Sequence, residues 1–191
     1  MNDSLRFFGS AANITTLALG LAVLIRNPLG NARSISHHLA TKRHYFLVMG
    51  LALTVFGAIY YAFIIWWFMP QFDLASWLLP VLGIAFMAQM LVAWVPARNA
   101  KINEKLLGRV HAFGGIVVAA AMVTCLWALA VGGTFAHSWQ QLLSTTLAVA
   151  CSVLYGLLLI LLYGSRRYLL IVESLFIAIF SVGMLILTWV S

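Results

Sequence analysis

Six long apolar runs alternate with short polar links along this chain. They read as 7–25, 44–69, 74–96, 108–133, 140–164 and 167–190. Each is long enough to cross a hydrocarbon core about 30 Å thick as a helix, which takes roughly 20 residues. Inside hydrocarbon a backbone must satisfy its own hydrogen bonds, so such a run folds as a helix. The pattern predicts an all-α protein: a polytopic integral membrane bundle of six transmembrane helices, with residues 1–191 forming one transmembrane domain.

The links hold the charge, and the charge orients the bundle. Arg26, Arg33, Lys42 and Arg43 fall between the first and second runs. Arg98, Lys101, Lys105 and Arg109 fall between the third and fourth, and Arg166 and Arg167 between the fifth and sixth. All of these lie on one side of a six-span chain, and only Arg6 lies on the other. Positive charge accumulates on cytoplasmic loops, so the asymmetry places both termini on the non-cytoplasmic side of a cell membrane. Aromatic residues form two groups in the same frame. Tyr60, Tyr61, Trp66, Trp67, Trp77, Trp139 and Trp189 fall toward the outer ends, and Tyr45, Trp94, Tyr163 and Tyr168 toward the inner ends. These read as interfacial belts.

Composition agrees. Of 191 residues, 64% are hydrophobic and 8% charged, against about 25% charged in soluble domains. The net charge of +7 would suggest nucleic acid in a soluble protein. Here it reads as juxtamembrane charge facing anionic lipid headgroups, and no basic–aromatic alternation supports a nucleic-acid groove. The expected partners are membrane lipids, with a larger membrane complex or a second copy as further candidates. Cys125 and Cys151 both fall inside runs and behave as small apolar residues. They form neither a disulfide framework nor a zinc pair by spacing. Residues 7–25 exceed a usual signal-peptide core and no A-x-A site follows, so the run reads as a retained first helix.

Local features refine the picture. The link 26–43 is the longest, and Ser34 to Arg43 reads as a short surface helix containing His37 and His38. Two adjacent histidines lack the spacing of a structural metal site. The fourth run is rich in small residues, among them Gly108, Ala112, Gly114, Gly115 and Ala119. Gly115 and Ala119 form a small-xxx-small pair, which predicts close backbone approach to a neighbouring helix.

Acidic residues are scarce, and only Glu173 falls inside a run. A carboxylate in hydrocarbon is costly and normally faces the bundle interior, water or a partner. At about 1.5 Å per residue, Glu173 lies roughly 9 Å inward from Arg167. Gln89 reaches a similar depth from Pro96, and His111 sits somewhat shallower on the same side. His44 and Arg109 lie at the inner rim, and Ser174 adjoins Glu173. These six residues predict one inner-leaflet ligand site, with Glu173 and His111 as a proton-linked pair. The bland reading of the same residues is a structural hydrogen-bond network, or a Glu173 that reaches Arg166 or Arg167.

Other chemistry finds little support. A bis-histidine haem would need His44 and His111 facing each other, yet both begin helices and no second pair lies inside the runs. No cofactor and no metal are expected. The nucleophile elbow G-x-S-x-G, phosphate loops and dinucleotide fingerprints are absent. The expectation is a membrane protein, more an ordinary binder than an enzyme, that binds or moves a small solute or lipid through an inner-leaflet polar cavity. Two rivals stand beside it: an accessory subunit of a larger membrane complex, and a lipid-modifying enzyme with His111 and Glu173 as acid–base pair.

Three segments carry a resemblance. They are NPLGNARSIS (27–36), VPARNAKINEKLLGRVHAFGG (95–115) and SRRYLLIVESLFIA (165–178). Their order and position resemble small six-helix bacterial membrane proteins of unknown function related to the DRAM-type autophagy modulators. The resemblance implies a six-helix fold with His111 and Glu173 as matching polar positions, and it implies no biochemical activity. The strongly basic link after the first helix departs from that group.

Overall fold

The structure, a computed structural model, describes residues 2–28, 30, 33–40, 42–95, 102–164 and 166–190. Among these residues the only regular elements are helices: α1 (Asn2–Arg26), α2 (Ile35–Leu39), α3 (Arg43–Gln71), α4 (Leu78–Trp94), α5 (Ile102–Gly132), α6 (Ser138–Tyr163) and α7 (Leu169–Trp189). Five of them, α1, α3, α5, α6 and α7, are long and apolar enough to cross a membrane. The chain is thus an all-helical, multi-pass membrane protein by the length and composition of these five. α4 is apolar but only 17 residues long.

Where the helices begin and end differs instructively from the apolar runs. α4 starts at Leu78 rather than 74 because the chain first turns: Asp73 takes φ 52°, and the Leu74 N–H donates back to Met69 O at 2.9 Å. Pro80 then falls in the first turn of α4, where its missing N–H has no intrahelical partner to lose. α5 begins at Ile102, six residues before the apolar run, because a helix can continue through polar residues once it leaves hydrocarbon. α7 begins at Leu169 because Tyr168 adopts φ 71°, a left-handed conformation that a non-glycine residue rarely holds. The Arg167 guanidinium lies 4.9 Å from the Tyr168 ring centre at that corner. Of the cations assigned to this end, Arg98 and Lys101 lie outside the described residues.

α3 carries a π-helical turn at Ile64–Phe68, directly before Pro70. A proline ring clashes with the carbonyl four residues earlier. Widening the turn, with the Met69 N–H donating to Ile64 O, absorbs that clash without breaking the helix.

The five long helices and α4 close into a ring. α1 packs on α3, α3 on α4, α4 on α5, α5 on α6 and α6 on α7. α7 returns to α1 along a lighter seam, held by Asn13 Nδ2 donating to Ser181 O at 3.3 Å and Trp189 Nε1 donating to Ser10 Oγ at 2.9 Å. Outward faces are apolar, with Met87 67% and Val131 81% exposed. That distribution suits hydrocarbon, where nothing is gained by hiding apolar side chains from the surroundings.

At the end away from the basic links, aromatic rings fill the ring's interior. Phe63 stacks on Trp67 with centres 5.4 Å apart, Phe68 meets Phe72 at 4.7 Å, and Phe72 meets Phe135 at 5.6 Å. Trp67 is therefore core rather than belt, and Tyr60 and Tyr61 also face inward. Trp66, Trp77 and Trp189 stay exposed as belt residues would. Arg6 lies over the Trp67 ring at 5.4 Å and the Trp189 ring at 4.4 Å. A cation over two indole faces contributes about 1–2 kcal/mol. Arg6→Leu is expected to lower stability by that amount in thermal unfolding of the detergent-purified chain, because it also loosens the α1–α7 seam.

Candidate functional site: a chamber inside the helix ring

The ring holds a cavity of about 1010 Å³, lined by residues of all seven helices and of the links before α2, α4 and α7. Small-molecule sites usually occupy about 300–1,000 Å³, so the chamber is at the large end. Along α5 its lining runs from Gly108 to Leu129, a rise of roughly 31 Å at 1.5 Å per residue. Most of the wall is apolar. Its charged groups, Arg33, Arg109, Arg166 and Glu173, gather toward the end of the basic links.

Why a ring of this sequence leaves a chamber is visible on α5. Gly108, Ala112, Gly115 and Ala119 follow one another at helical spacing and all line the cavity. A Cβ placed on Gly115 would meet nothing within 4 Å. This corrects the expectation of close packing at Gly115, which faces open space; Ala119 lines the cavity and also packs against the buried cluster. Close approach happens one residue earlier. A Cβ on Gly114 would lie 2.9 Å from Ala88 O and 3.2 Å from Val92 Cγ2 on α4. On α3, Gly57 leaves the room through which Gln89 reaches across.

Four of the six expected site residues line this chamber: Glu173, His111, Gln89 and Arg109. Each of the three interior ones is held by backbone. The Ile35 N–H donates to Glu173 Oε2 at 2.7 Å. Gln89 Nε2 donates to Leu53 O at 2.8 Å. His111 Nδ1 lies 2.6 Å from Val95 O. A carbonyl only accepts, so that nitrogen carries the proton, and in the neutral ring Nε2 is left as an acceptor. Arg109 is exposed at the chamber's basic end. His44 and Ser174 are not among the lining residues. His44 is exposed on α3 and its ring meets Tyr45 with centres 4.1 Å apart. Depth alone had grouped it with the others, but depth does not say which way a helix faces.

The sequence reading missed how α2 takes part. The short helix exists, capped by Ser34 Oγ, which accepts the His37 N–H at 3.2 Å. It is not a surface helix. His38 is 1% exposed, with Nδ1 2.9 Å from Ser34 O, and Ser34, Ser36 and His37 line the chamber. α2 therefore tucks into the basic mouth, tied to α7 through Glu173. Arg33 and Arg166 line the same cavity. Deeper in, Tyr60 Oη is buried without a hydrogen-bond partner among the described residues. Cys125 also lines the wall and Cys151 is buried, both as free thiols. Among the described residues no three His, Cys, Asp or Glu side chains assemble as a metal set.

Comparison with known proteins leaves the argument to this geometry: no family model, no curated protein and no solved structure matches the chain.

Proposed function

We propose that this is a six-span membrane protein that binds a small lipid or lipid-like solute in its central chamber, entered from the basic end. The observation that carries this reading is the chamber itself, about 1010 Å³ and largely apolar, with its charged groups gathered at one end. The opposite end is filled by the Phe63, Trp67, Phe68 and Phe72 cluster. A chamber with its charged groups at one end and packed aromatic rings at the other favours holding a ligand over passing it straight through. The acid–base reading has less support, because Glu173 and His111 are each engaged with backbone groups. The DRAM-type likeness supports the six-helix layout through its three segments and adds no activity.

In this reading α4 is the sixth span. Its 17 residues meet the lower limit of about 17–25 residues for a crossing helix. The basic links then face the cytoplasm and both termini face outward. Cysteine labelling in a background lacking Cys125 and Cys151 tests this. Lys42→Cys is expected to react with a membrane-impermeant reagent only from the cytoplasmic side, and Ala136→Cys only from outside. Labelling of both positions from one side overturns the six-span layout. For binding, the chain extracted gently from its membrane is expected to carry a lipid mass in native mass spectrometry. Bare protein under conditions that keep lipids on other membrane proteins would refute it.

A further inference from the structure

We infer that the ligand is an anionic single-chain amphiphile, with a carboxylate or phosphate head at the basic mouth and its hydrocarbon tail along the small-residue stripe of α5. This rests on the chamber reading and adds the ligand's chemical class.

Two observations carry it. The first is the charge of the mouth. Three guanidiniums line the cavity there, Arg33, Arg109 and Arg166, each exposed to the surroundings. They come from three separate places: the link before α2, the first turns of α5, and the corner before α7. One carboxylate, Glu173, lines the same cavity and already accepts the Ile35 N–H. His37 and His111 also line the cavity, and His111 is engaged with Val95 O. Three fixed cations against one engaged acid leave the mouth positive. Guanidinium forks match carboxylate and phosphate oxygens two bonds at a time. The second observation is the shape and chemistry of the wall beyond. Along α5, Gly108, Ala112, Gly115 and Ala119 form a small-residue trough in the wall, flanked by Ile116 and Val118, and Leu158, Leu162 and Ile177 also line the chamber. A tail fits such a trough, and a hydrophilic anion would have no reason to enter it. Exposed arginines beside an apolar chamber thus divide a ligand into head and tail.

The contrary reading is that the three arginines meet bulk phospholipid headgroups, as juxtamembrane cations do. Equilibrium binding separates the two. The full chain, tagged and purified in detergent, is titrated with tritiated oleate, oleyl phosphate and oleyl alcohol in a scintillation proximity assay. At least one of the two anions is expected to bind ten-fold or more tightly than the alcohol, and the tighter of the two names the head. The double variant Arg109→Ala, Arg166→Ala is expected to lose that preference while binding the alcohol as before, which shows that it has folded. Equal binding of anions and alcohol would leave the chamber reading intact and overturn the anionic class. An unchanged anion preference in the double variant would overturn the assignment of the head to this mouth. Failure of all three compounds to bind would overturn this inference and the chamber reading together.

Discussion

Gly115→Leu is expected to leave the helix ring standing and to abolish ligand binding, with at least a ten-fold loss of affinity. Gly114→Leu, one residue away, is expected to do the opposite first and unfold the protein. The two glycines share a helix and a depth, so propensity is the same for both. Replacing a helical glycine gains about 1 kcal/mol of helix propensity. What differs is the space. At Gly115 a new side chain points into the chamber, with nothing within 4 Å of its first carbon. Leucine there occupies the trough between Ala112 and Ala119 that a tail would use. At Gly114 the first carbon already lies 2.9 Å from a backbone oxygen, Ala88 O, and 3.3 Å from Leu91 Cβ. Backbone cannot swing aside as a long side chain can, so α4 must move away from α5. Overpacking costs about 1–3 kcal/mol in well-packed proteins, and more where two helices are forced apart. Thermal unfolding and lipid binding on the two variants read both outcomes. A Gly115→Leu variant that unfolds, or one that binds lipid as the parent does, would refute the chamber as drawn here.

The same pair shows what the sequence could and could not reveal. Apolar run length disclosed the helices because hydrocarbon leaves a chain few other ways to satisfy its backbone. It did not place the helix ends, which depend on turns such as the left-handed Asp73 and Tyr168. The small residues of α5 were visible at their helical spacing. Their meaning was not, because a small side chain serves equally to admit a neighbouring helix or to leave a void. Only the rotation of α5 within the ring decides, and it assigns Gly114 to α4 and Gly115 to the chamber. For the polar site, depth brought together Glu173, His111, Gln89 and Arg109 because polar groups inside a membrane protein turn inward. Depth also admitted His44, which faces out. Arg33, and Arg166 beyond its weighing as a partner for Glu173, were not legible as lining residues because a cation in a basic link looks like any other topological charge until the fold places it at the chamber.

The second large effect concerns that fold-back. Replacing Glu173 with leucine is expected to release α2 from the mouth, while Glu173→Gln keeps most of the closure. The Ile35 N–H is the first donor of α2, at a position where no intrahelical carbonyl can accept it. Glu173 Oε2 accepts it at 2.7 Å. Leaving a buried backbone donor without its acceptor costs about 1–3 kcal/mol. Glutamine still offers a carbonyl oxygen of the same reach. Leucine offers nothing and leaves the donor without its acceptor. The Ser34 cap joins two residues of this same segment, so it stabilises α2 by about 1 kcal/mol without tying it to the ring. Ala40, 8% exposed just beyond α2, reports the opening. In a background lacking the two native cysteines, Ala40→Cys is expected to react with a thiol reagent about 10–100-fold faster once Glu173 is leucine, since 1.4 kcal/mol is a factor of ten. With glutamine the increase is expected to stay under about ten-fold. Ligand exchange should follow the same order, because Ser34, Ser36 and His37 line the chamber only while α2 is tucked in. Equal labelling rates in all three proteins would show that Glu173 does not hold α2 in place. A faster rate in the leucine variant without faster ligand exchange would show that α2 is held there but does not guard the entrance.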